Sequence, residues 1–342
     1  MVSTRHSRTN LRRTLFVCAG LFLIFVLAFL ISSILGAQRL SFGGALCALT
    51  GKSNCSLSAE ERAILFDIRL PRVLLAGAVG TCLAAAGAAY QSLLRNPLAE
   101  PYLLGVSNGA AVGTMAALVF FGAHEWSRPV MAFAGAITAT FLVYRLARGR
   151  AGATPERLIL AGVIVTTFLS SAIVFITTVM DATRIRSFTF WLLGDLSGTT
   201  SNLLAVAFAA AAVGVIALVM NARALNLMML GERDAFDLGV EVSRVRLIVF
   251  AAASLLVGAS VAASGSVGYV GLVVPHLVRL SFGSDNRLVI PAAAIAGATF
   301  VIVADTLART VIAPRELPVG AITALIGAPL FVYLLRRGAS SV

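Results

Sequence analysis

Long uncharged apolar runs constrain this sequence more than any other feature, because a helix needs about 20 mostly apolar residues to cross the hydrocarbon core of a bilayer. The run at 247–278 is too long for one crossing and contains Gly265 and Gly268, so we divide it into two helices at these glycines. The ten predicted spans are 14–35, 73–94, 101–123, 129–144, 158–180, 199–222, 247–264, 267–280, 288–308 and 317–335.

The composition excludes a water-soluble domain and a disordered chain. Only 12% of the residues are charged and 59% are hydrophobic, whereas about a quarter of a soluble domain is charged and disordered chains are poor in apolar residues. The net charge of +12 does not indicate a nucleic-acid partner, because the basic residues form short clusters between the apolar runs. We predict an all-α integral membrane protein whose residues 1–342 form one polytopic domain in the lipid bilayer.

The basic residues also predict the topology. Ten spans place both termini on one side, and most of the 27 basic residues fall on that side. The positive-inside rule then makes both termini cytoplasmic. This assignment makes 1–13 a cytoplasmic basic tail, 36–72 an extracytoplasmic segment and 221–246 a cytoplasmic segment.

The cytoplasmic segment 221–246, between spans six and seven, has a pattern of its own. Its apolar residues are interrupted by Gly231 and Gly239, which predicts two short helices at the membrane surface, joined by a turn. The segment is either an ordinary amphipathic loop or a contact surface for a cytoplasmic partner.

Signals of catalytic chemistry are weak. The histidines and cysteines show no metal-binding spacing, and we expect no metal or cofactor. GVSNG at 105–109 matches the nucleophile elbow. On this interpretation the chain would be an intramembrane serine protease in which Ser107 is paired with His276. The string lies in a Gly/Ala-rich apolar run, where small residues more often allow close helix packing. TGKS at 50–53 has Leu46 where a phosphate loop requires glycine, so we expect no ATP site and no enzyme activity.

Strings along most of the chain, in the same order, resemble the FecCD-type permeases, the membrane subunits of binding-protein-dependent ABC importers. They are DIRLPRVLLAGAVGTCLAAAGAAYQSLLRNPLAEPYLLGVSNGAAVG (67–113), FWLLGDLSG (190–198), LNLMMLGERDAFDLGV (225–240), GSVGYVGLVVPHLVRLSFGSDNRLVIP (265–291), ADTLAR (304–309) and ELPVGAITALIGAPLFVYLL (316–335).

This resemblance implies a function and a set of partners. Family members have ten spans with cytoplasmic termini and form homodimers. Two copies of a separate ATPase subunit bind on the cytoplasmic side and power transport, and one periplasmic or lipid-anchored substrate-binding protein docks on the other side. The cargo is a metal chelate, namely an iron-siderophore, haem or vitamin B12.

The resemblance also assigns roles to particular residues. Arg69, Arg72 and Arg309 match arginines that meet acidic residues of the binding protein, for which a guanidinium is well suited because it binds carboxylates bidentately. Alternatively, Arg69 and Arg72 anchor the membrane edge, and Arg309 pairs with Asp305 four residues earlier on one helix.

Two further sets of residues match regions on the cytoplasmic side. The coupling helices that contact the ATPase correspond to Leu230, Gly231, Glu232, Ala235, Leu238 and Gly239. The cytoplasmic gate corresponds to Asn96, Pro97, Leu98 and Thr154, although Pro155 departs from the family pattern beside Thr154.

Two questions remain open at this level. Cys47 and Cys55 flank a turn-forming stretch outside the membrane, where they either form a disulfide or stay as free thiols on a short helix. An ion-coupled secondary transporter is the alternative function. It would need carboxylates inside the membrane, and Asp305 is the candidate.

Overall fold

The computed structural model describes residues 11–36, 38, 40–50, 55–121, 126–149 and 152–339. Most of the basic tail and residues 51–53 of the TGKS string lie outside them. The described chain is helical, apart from the antiparallel pairing of β1 (Arg148–Gly149) with β2 (Gly152–Ala153). The α-helices are α1 Leu11–Ile34, α2 Phe42–Leu49, α3 Ala59–Ala63, α4 Leu70–Leu93, α5 Val106–Phe120, α6 Ser127–Ala147, α7 Pro155–Val179, α8 Ala182–Leu192, α9 Ser201–Met220, α10 Ala222–Leu230, α11 Glu232–Asp237, α12 Val242–Ser264, α13 Val270–Phe282, α14 Asn286–Thr310 and α15 Val319–Ala339.

Seven helical segments in the described part of the chain are long and apolar enough to cross a membrane: α1, the continuous stretch Ala59–Leu93 that ends with α4, α6, α7, α9, α12 and α14. Three shorter apolar segments complete the set: α5, α13 and the part Val319–Leu334 of α15. These ten segments fall on the ten predicted runs. The all-helical architecture is confirmed, whereas ten crossings and cytoplasmic termini stay predictions.

The outer helices expose large apolar side chains. Phe16 on α1 is 83% exposed, and Phe175 on α7 and Val213 on α9 are also largely exposed. Apolar surface of this extent is unfavourable in water and marks a membrane contact. The molecule therefore has the exterior of a multi-pass membrane protein.

Helix α4 lies at the centre of the bundle and is buried along almost its whole length. Its glycines allow close backbone contact with two other helices. A Cβ added to Gly80 would lie 2.1 Å from the carbonyl oxygen of Gly297 on α14, and one added to Gly87 would lie 1.9 Å from that of Gly271 on α13. Small residues at helix crossings permit such packing.

The predicted break in the run 247–278 is confirmed, because α12 ends at Ser264 and α13 begins at Val270. Gly265 and Tyr269 flank the break with positive φ angles of 68° and 67°. Tyr102 holds this loop from the segment before α5: its hydroxyl donates to Val267 O at 3.1 Å and accepts from Val267 N–H at 3.0 Å.

Helix α8 was not expected from the sequence, because Arg184 and Arg186 interrupt the apolar pattern there. Asp181 caps it by accepting a hydrogen bond from Arg184 N–H at 2.9 Å. Phe188 is buried and stacks on Trp191, with 6.2 Å between the ring centroids. The buried aromatic pair therefore fixes a helix that apolar periodicity did not indicate.

The described part of the predicted extracytoplasmic segment folds as α2, α3 and the π-helical turn Ile64–Arg69 that leads into α4. Cys47 and Cys55 form a disulfide with 5.6 Å between their Cα atoms. Ser58 begins α3 with a capping box, in which Ser58 and Glu61 exchange hydrogen bonds. This segment lies at one end of the bundle, which we call the Arg72 end; the opposite end, where α4 stops, is the Arg95 end.

Candidate functional site

A buried carboxylate at the Arg72 end joins two arginines from different helices. Asp305 on α14 has no exposed surface. Its Oδ1 lies 3.0 Å from Arg72 Nε on α4, and its Oδ2 lies 2.9 Å from Arg309 Nε. The predicted pair of Asp305 with Arg309 is therefore present, and Arg72 extends it into a triad that ties α4 to α14. A buried ion pair of this kind is costly to disrupt from one side.

The three arginines expected to dock a binding protein are bonded within the protein in this structure, and their docking role stays a prediction. Arg69 donates to the carbonyl oxygens of Ile34 and Gln38, and Arg69, Arg72 and Arg309 are each at most 7% exposed. The physical reason is that a charge taken out of water needs internal partners, which this fold supplies to all three.

Glu316 is the exposed acidic member of the same cluster, and sequence reasoning missed it. Its Oε2 lies 2.7 Å from Arg72 Nη1, and its side chain is 47% exposed. Arg72 thus has one wholly buried partner and one that reaches the surface. The 244 residues between Arg72 and Glu316 explain why no local pattern could reveal the pair.

At the Arg95 end, the two short helices predicted in 221–246 are present as α10 and α11. Leu230, Phe236 and Leu238 are 67%, 70% and 63% exposed, and we call these three side chains the apolar patch. Gly239 follows with a φ of 84°, and a Cβ added there would meet no atom within 4 Å. The segment therefore presents apolar side chains that no described part of the chain covers.

Two residues assigned to this contact surface make contacts within the protein. Ala235 has no exposed surface, because it lies on the face of α11 that packs onto the protein. The Glu232 carboxylate contacts the guanidinium of Arg246 on α12 and lies 3.6 Å from Arg95 Nη2. The sequence pattern did not resolve the two faces of a six-residue helix, and it missed Phe236, Arg95 and Arg246.

The turn that follows α4 has the irregular backbone expected from Pro97 and Pro101. Arg95 adopts a φ of 50°, and Asn96 Oδ1 accepts a hydrogen bond from Leu98 N–H at 2.9 Å. Pro97 and Leu98 are exposed. The predicted gate residues thus form a compact turn whose conformation depends on an unusual backbone angle at Arg95.

Thr154, at the start of α7, and Arg95 line the same cavity, which has a volume of about 420 Å³. The cavity joins the turn after α4, the start of α7 and the start of α11. Its lining residues are Leu94, Arg95, Thr154, Pro155, Glu156 and Glu232.

The structure does not assemble the serine protease site. Ser107 bonds to the hydroxyl of Ser266 at 3.2 Å, and the His276 ring packs edge-on against Phe331. In the string GVSNG, Gly105 precedes α5 and the other four residues form its start. Among the described residues, no strand comes directly before this string, as a nucleophile elbow would require. In the same described part of the chain, no group of three or more His, Cys, Asp or Glu comes together to hold a metal.

A partly buried carboxylate, which sequence reasoning missed, lies between α4 and α5. Glu100 Oε1 accepts a hydrogen bond from Tyr269 N–H at 3.1 Å, at the start of α13. Burial raises the pKa of Glu100, and this hydrogen bond opposes the shift. The contact joins the segment before α5 to the break between α12 and α13.

Comparison with known proteins gives a consistent result. The FecCD transport family matches residues 23–337. The hemin transport system permease protein of Yersinia pestis is 39% identical over 322 residues, covering 93% of this chain and 94% of that protein. The iron(3+)-hydroxamate import system permease protein of Bacillus subtilis is 35% identical over 96% of this chain and 99% of its own length. The cobalamin import system permease protein of Halobacterium salinarum is 42% identical over 80% of this chain and 73% of its own length.

Solved structures share the fold. A structure described as an inward-facing conformation of a metal-chelate type ABC transporter superposes with a TM-score of 0.83, at 30% identity, over 94% of this chain and 99% of that chain. A second structure, PsaBC from Streptococcus pneumoniae in complex with Fab, has a TM-score of 0.57 at 14% identity, over 80% of this chain and 92% of that chain. This more distant likeness is one of fold alone.

Proposed function

Because the chain belongs to the FecCD transport family, we propose that it is the permease subunit of a binding-protein-dependent ABC importer that carries a metal chelate across the inner (cytoplasmic) membrane. The observation that carries this proposal is the family match over residues 23–337. Relatives named for hemin, hydroxamate-iron and cobalamin transport support three cargo classes: haem, an iron-siderophore and vitamin B12.

The permease works as a homodimer with two copies of a separate ATPase subunit at the Arg95 end. The apolar patch supports this arrangement, because exposed Leu230, Phe236 and Leu238 offer the kind of apolar anchors that a partner's cleft buries. ATP is bound by the partner, and this chain acts as the membrane pathway and not as an enzyme.

A periplasmic or lipid-anchored binding protein docks at the Arg72 end. Since Arg72 is buried against Asp305 and Glu316, docking through this arginine requires an exchange: an acidic residue of the binding protein replaces Glu316 while Asp305 stays in place. Glu316 is suited to this exchange, because its half-exposed pair is weakly held.

Transport follows from a shift between outward-open and inward-open states. ATP binding, cargo and binding protein each move the equilibrium only by as much as they bind the two states differently. The turn of Asn96, Pro97 and Leu98, with Thr154 opposite, closes the pathway at the Arg95 end in one of these states.

Co-purification and transport test the proposal together. The chain is expressed with its candidate ATPase and binding protein, purified through a tag on this chain, and reconstituted into liposomes. We expect a complex with two ATPase copies that takes up one of cyanocobalamin, a ferric hydroxamate or haem when ATP is supplied. A chain that purifies without an ATPase and shows no ATP-dependent uptake of any of the three would contradict the proposal.

An ion-coupled secondary transporter is the second candidate, and Asp305 is the residue that would carry it. Its pairing with Arg72 and Arg309 disfavours a cycle of proton or cation binding, since the positive charges already compensate the carboxylate. Uptake that survives removal of ATP and is abolished by a protonophore would favour this candidate over the first.

A further inference from the structure

Glu232 connects three elements at the Arg95 end, although it belongs to a helix that the family resemblance assigns to ATPase contact. It is the first residue of α11, and one of its carboxylate oxygens, Oε1, faces both Arg246 on α12 and Arg95 after α4. Its side chain is only 34% exposed. The carboxylate is therefore directed toward the permease as well as toward solvent.

The two ion pairs of Glu232 differ in strength. Arg246 is only 4% exposed, and neither its Nε nor its Nη2 has a hydrogen-bond partner among the described residues, so its ion pair with Glu232 is what compensates its charge. In that part of the chain, Glu232 is also the one carboxylate within ion-pair distance of Arg246. Separating the two would leave a buried charge uncompensated, which is strongly unfavourable. Glu232 and α11 therefore move together with α12.

The contact with Arg95 is the weaker of the two. The separation of 3.6 Å is long for a charge-assisted hydrogen bond, and the Arg95 side chain is 37% exposed. Exposed pairs of this geometry form and break at little cost. A displacement of α11 by about an ångström is enough to make or lose this contact, while the contact with Arg246 persists.

Arg95 lies at the start of the gate turn, where making or losing its ion pair with Glu232 can change the turn. It has the positive φ angle that begins the turn of Asn96, Pro97 and Leu98, a conformation unfavourable for a residue with a side chain. Thr154 and Glu156, from the opposite gate segment, line the same cavity. A displacement of the Arg95 side chain therefore acts on the residue of this turn that has the unfavourable backbone conformation.

We propose that Glu232 transmits the movement of α11 to the gate turn, through a permanent ion pair with Arg246 and a switchable ion pair with Arg95. The inference rests on the proposed function, because it assumes that an ATPase displaces α11. It assigns Arg95 and Glu232 as positioning residues, which act through the turn and do not contact cargo.

The test uses the complete complex with ATPase and binding protein in liposomes, and it compares Arg95→Gln with Arg244→Gln. Arg244 is the matched control, because its pair with Glu241 has a similar separation of 3.7 Å but is exposed and lies within α12 and its flank. Assembly, ATP hydrolysis and cargo delivered per ATP are measured for each. We expect Arg95→Gln to assemble and hydrolyse ATP, with cargo per ATP reduced about fivefold, while Arg244→Gln matches the parent.

A distance measurement provides a readout that a purely structural role would not change. Spin labels at Leu98→Cys, whose exposed side chain leaves the hydrogen bond between Leu98 N–H and Asn96 Oδ1 intact, and at Arg233→Cys report the separation of the turn from α11, in a chain with Cys18 and Cys82 replaced by Ala. We expect the separation to change on ATP binding in the otherwise unchanged chain and to become independent of nucleotide when Arg95→Gln is added.

The outcomes separate the two levels of the inference. Failure of the unmodified chain to assemble with an ATPase would overturn the proposed function itself. Normal transport per ATP in Arg95→Gln, in a complex that assembles and works, would overturn only the linkage. Loss of assembly in a Glu232→Gln variant that keeps the thermal midpoint of the parent, with Arg95→Gln unaffected, would also overturn it and would return Glu232 to direct ATPase contact.

Discussion

Arg72 Nε and Asp305 Oδ1 lie 3.0 Å apart although 233 residues separate them in the chain. The pair joins the first turn of the central helix α4 to the last two turns of α14. Both side chains are almost completely buried, so the contact belongs to the interior of the bundle and not to its surface.

Removal of the Asp305 charge should destabilise the protein strongly. Asp305→Asn leaves Arg72 and Arg309 buried without a full countercharge, for which we expect a loss of about 3 kcal/mol and a lower thermal midpoint in detergent. Glu316→Gln is the control, because its pair with Arg72 is half-exposed and should contribute less than about 1 kcal/mol. Equal midpoints for the two variants would show that the triad does not stabilise the fold.

Removal of the Glu316 charge should strengthen docking. If a carboxylate of the binding protein replaces Glu316 at Arg72, Glu316→Gln eliminates the internal competitor, and the dissociation constant should fall several-fold at low salt. Exposed charges are screened over about 8 Å at physiological ionic strength, so the gain should shrink as salt is added. Weaker binding by this variant, in a titration of the binding protein against the reconstituted permease, would contradict the exchange.

The apolar patch should determine ATPase affinity. Phe236→Ser removes an exposed aromatic side chain, and burial of such a side chain in a partner's cleft is worth about 1.5–3 kcal/mol. We therefore expect at least tenfold weaker association, measured by titration of the ATPase against the permease in nanodiscs, with no change in the permease's thermal midpoint. Asp237→Asn, an exposed change on the same helix, should have a much smaller effect; a comparable effect would assign the interaction to charge instead.

Gly80 and Gly87 of α4 should tolerate no side chain, because an added Cβ would meet the backbone of another helix. Gly87→Ala places a Cβ against the backbone of Gly271, and we expect a destabilisation of about 1–3 kcal/mol from overpacking. Gly20→Ala on α1 is the matched control, since an added Cβ there meets nothing within 4 Å and alanine favours the helix. Similar expression and thermal midpoints for the two variants would argue against a rigid crossing at Gly87.

Alkylation should distinguish two pairs of cysteines. Under denaturing conditions without reductant, Cys18 and Cys82 should react while Cys47 and Cys55 should not, and all four should react after reduction. Closure of the short loop is worth about 2–3 kcal/mol, so Cys47→Ser with Cys55→Ser should loosen the segment that leads to Arg69. Labelling of all four cysteines before reduction would contradict the disulfide.

Local patterns in the sequence predicted those features of the fold that are determined by residues close together in the chain. Apolar runs located the spans, Gly265 located the break between α12 and α13, and the spacing of four residues placed Asp305 beside Arg309. Each of these depends on helix geometry or backbone freedom over a few residues, which a single sequence displays directly.

Contacts between distant segments were not predictable in this way. The sequence left Arg72 between a docking residue and a membrane-edge anchor, and only the packing of α4 on α14 shows that it is buried. Arg246 looked like one of several positive residues near a span end, and Ala235 like part of an exposed helix. In each case the burial of the residue depends on which side of its helix faces the bundle. Short or uniformly apolar helices have too little amphipathic pattern for the sequence to show this orientation.

The backbone contacts at Gly80 and Gly87 leave α4 no room to slide along, or rotate against, α13 and α14. A shift by one residue would drive a side chain into the backbone oxygen of Gly271 or Gly297. We therefore expect these three helices to move as one unit, and we expect any tilting during transport to involve the helices around them. Labels attached to α4 should therefore keep their distances to α13 and α14, whereas labels attached to α7 or α11 should move relative to α4.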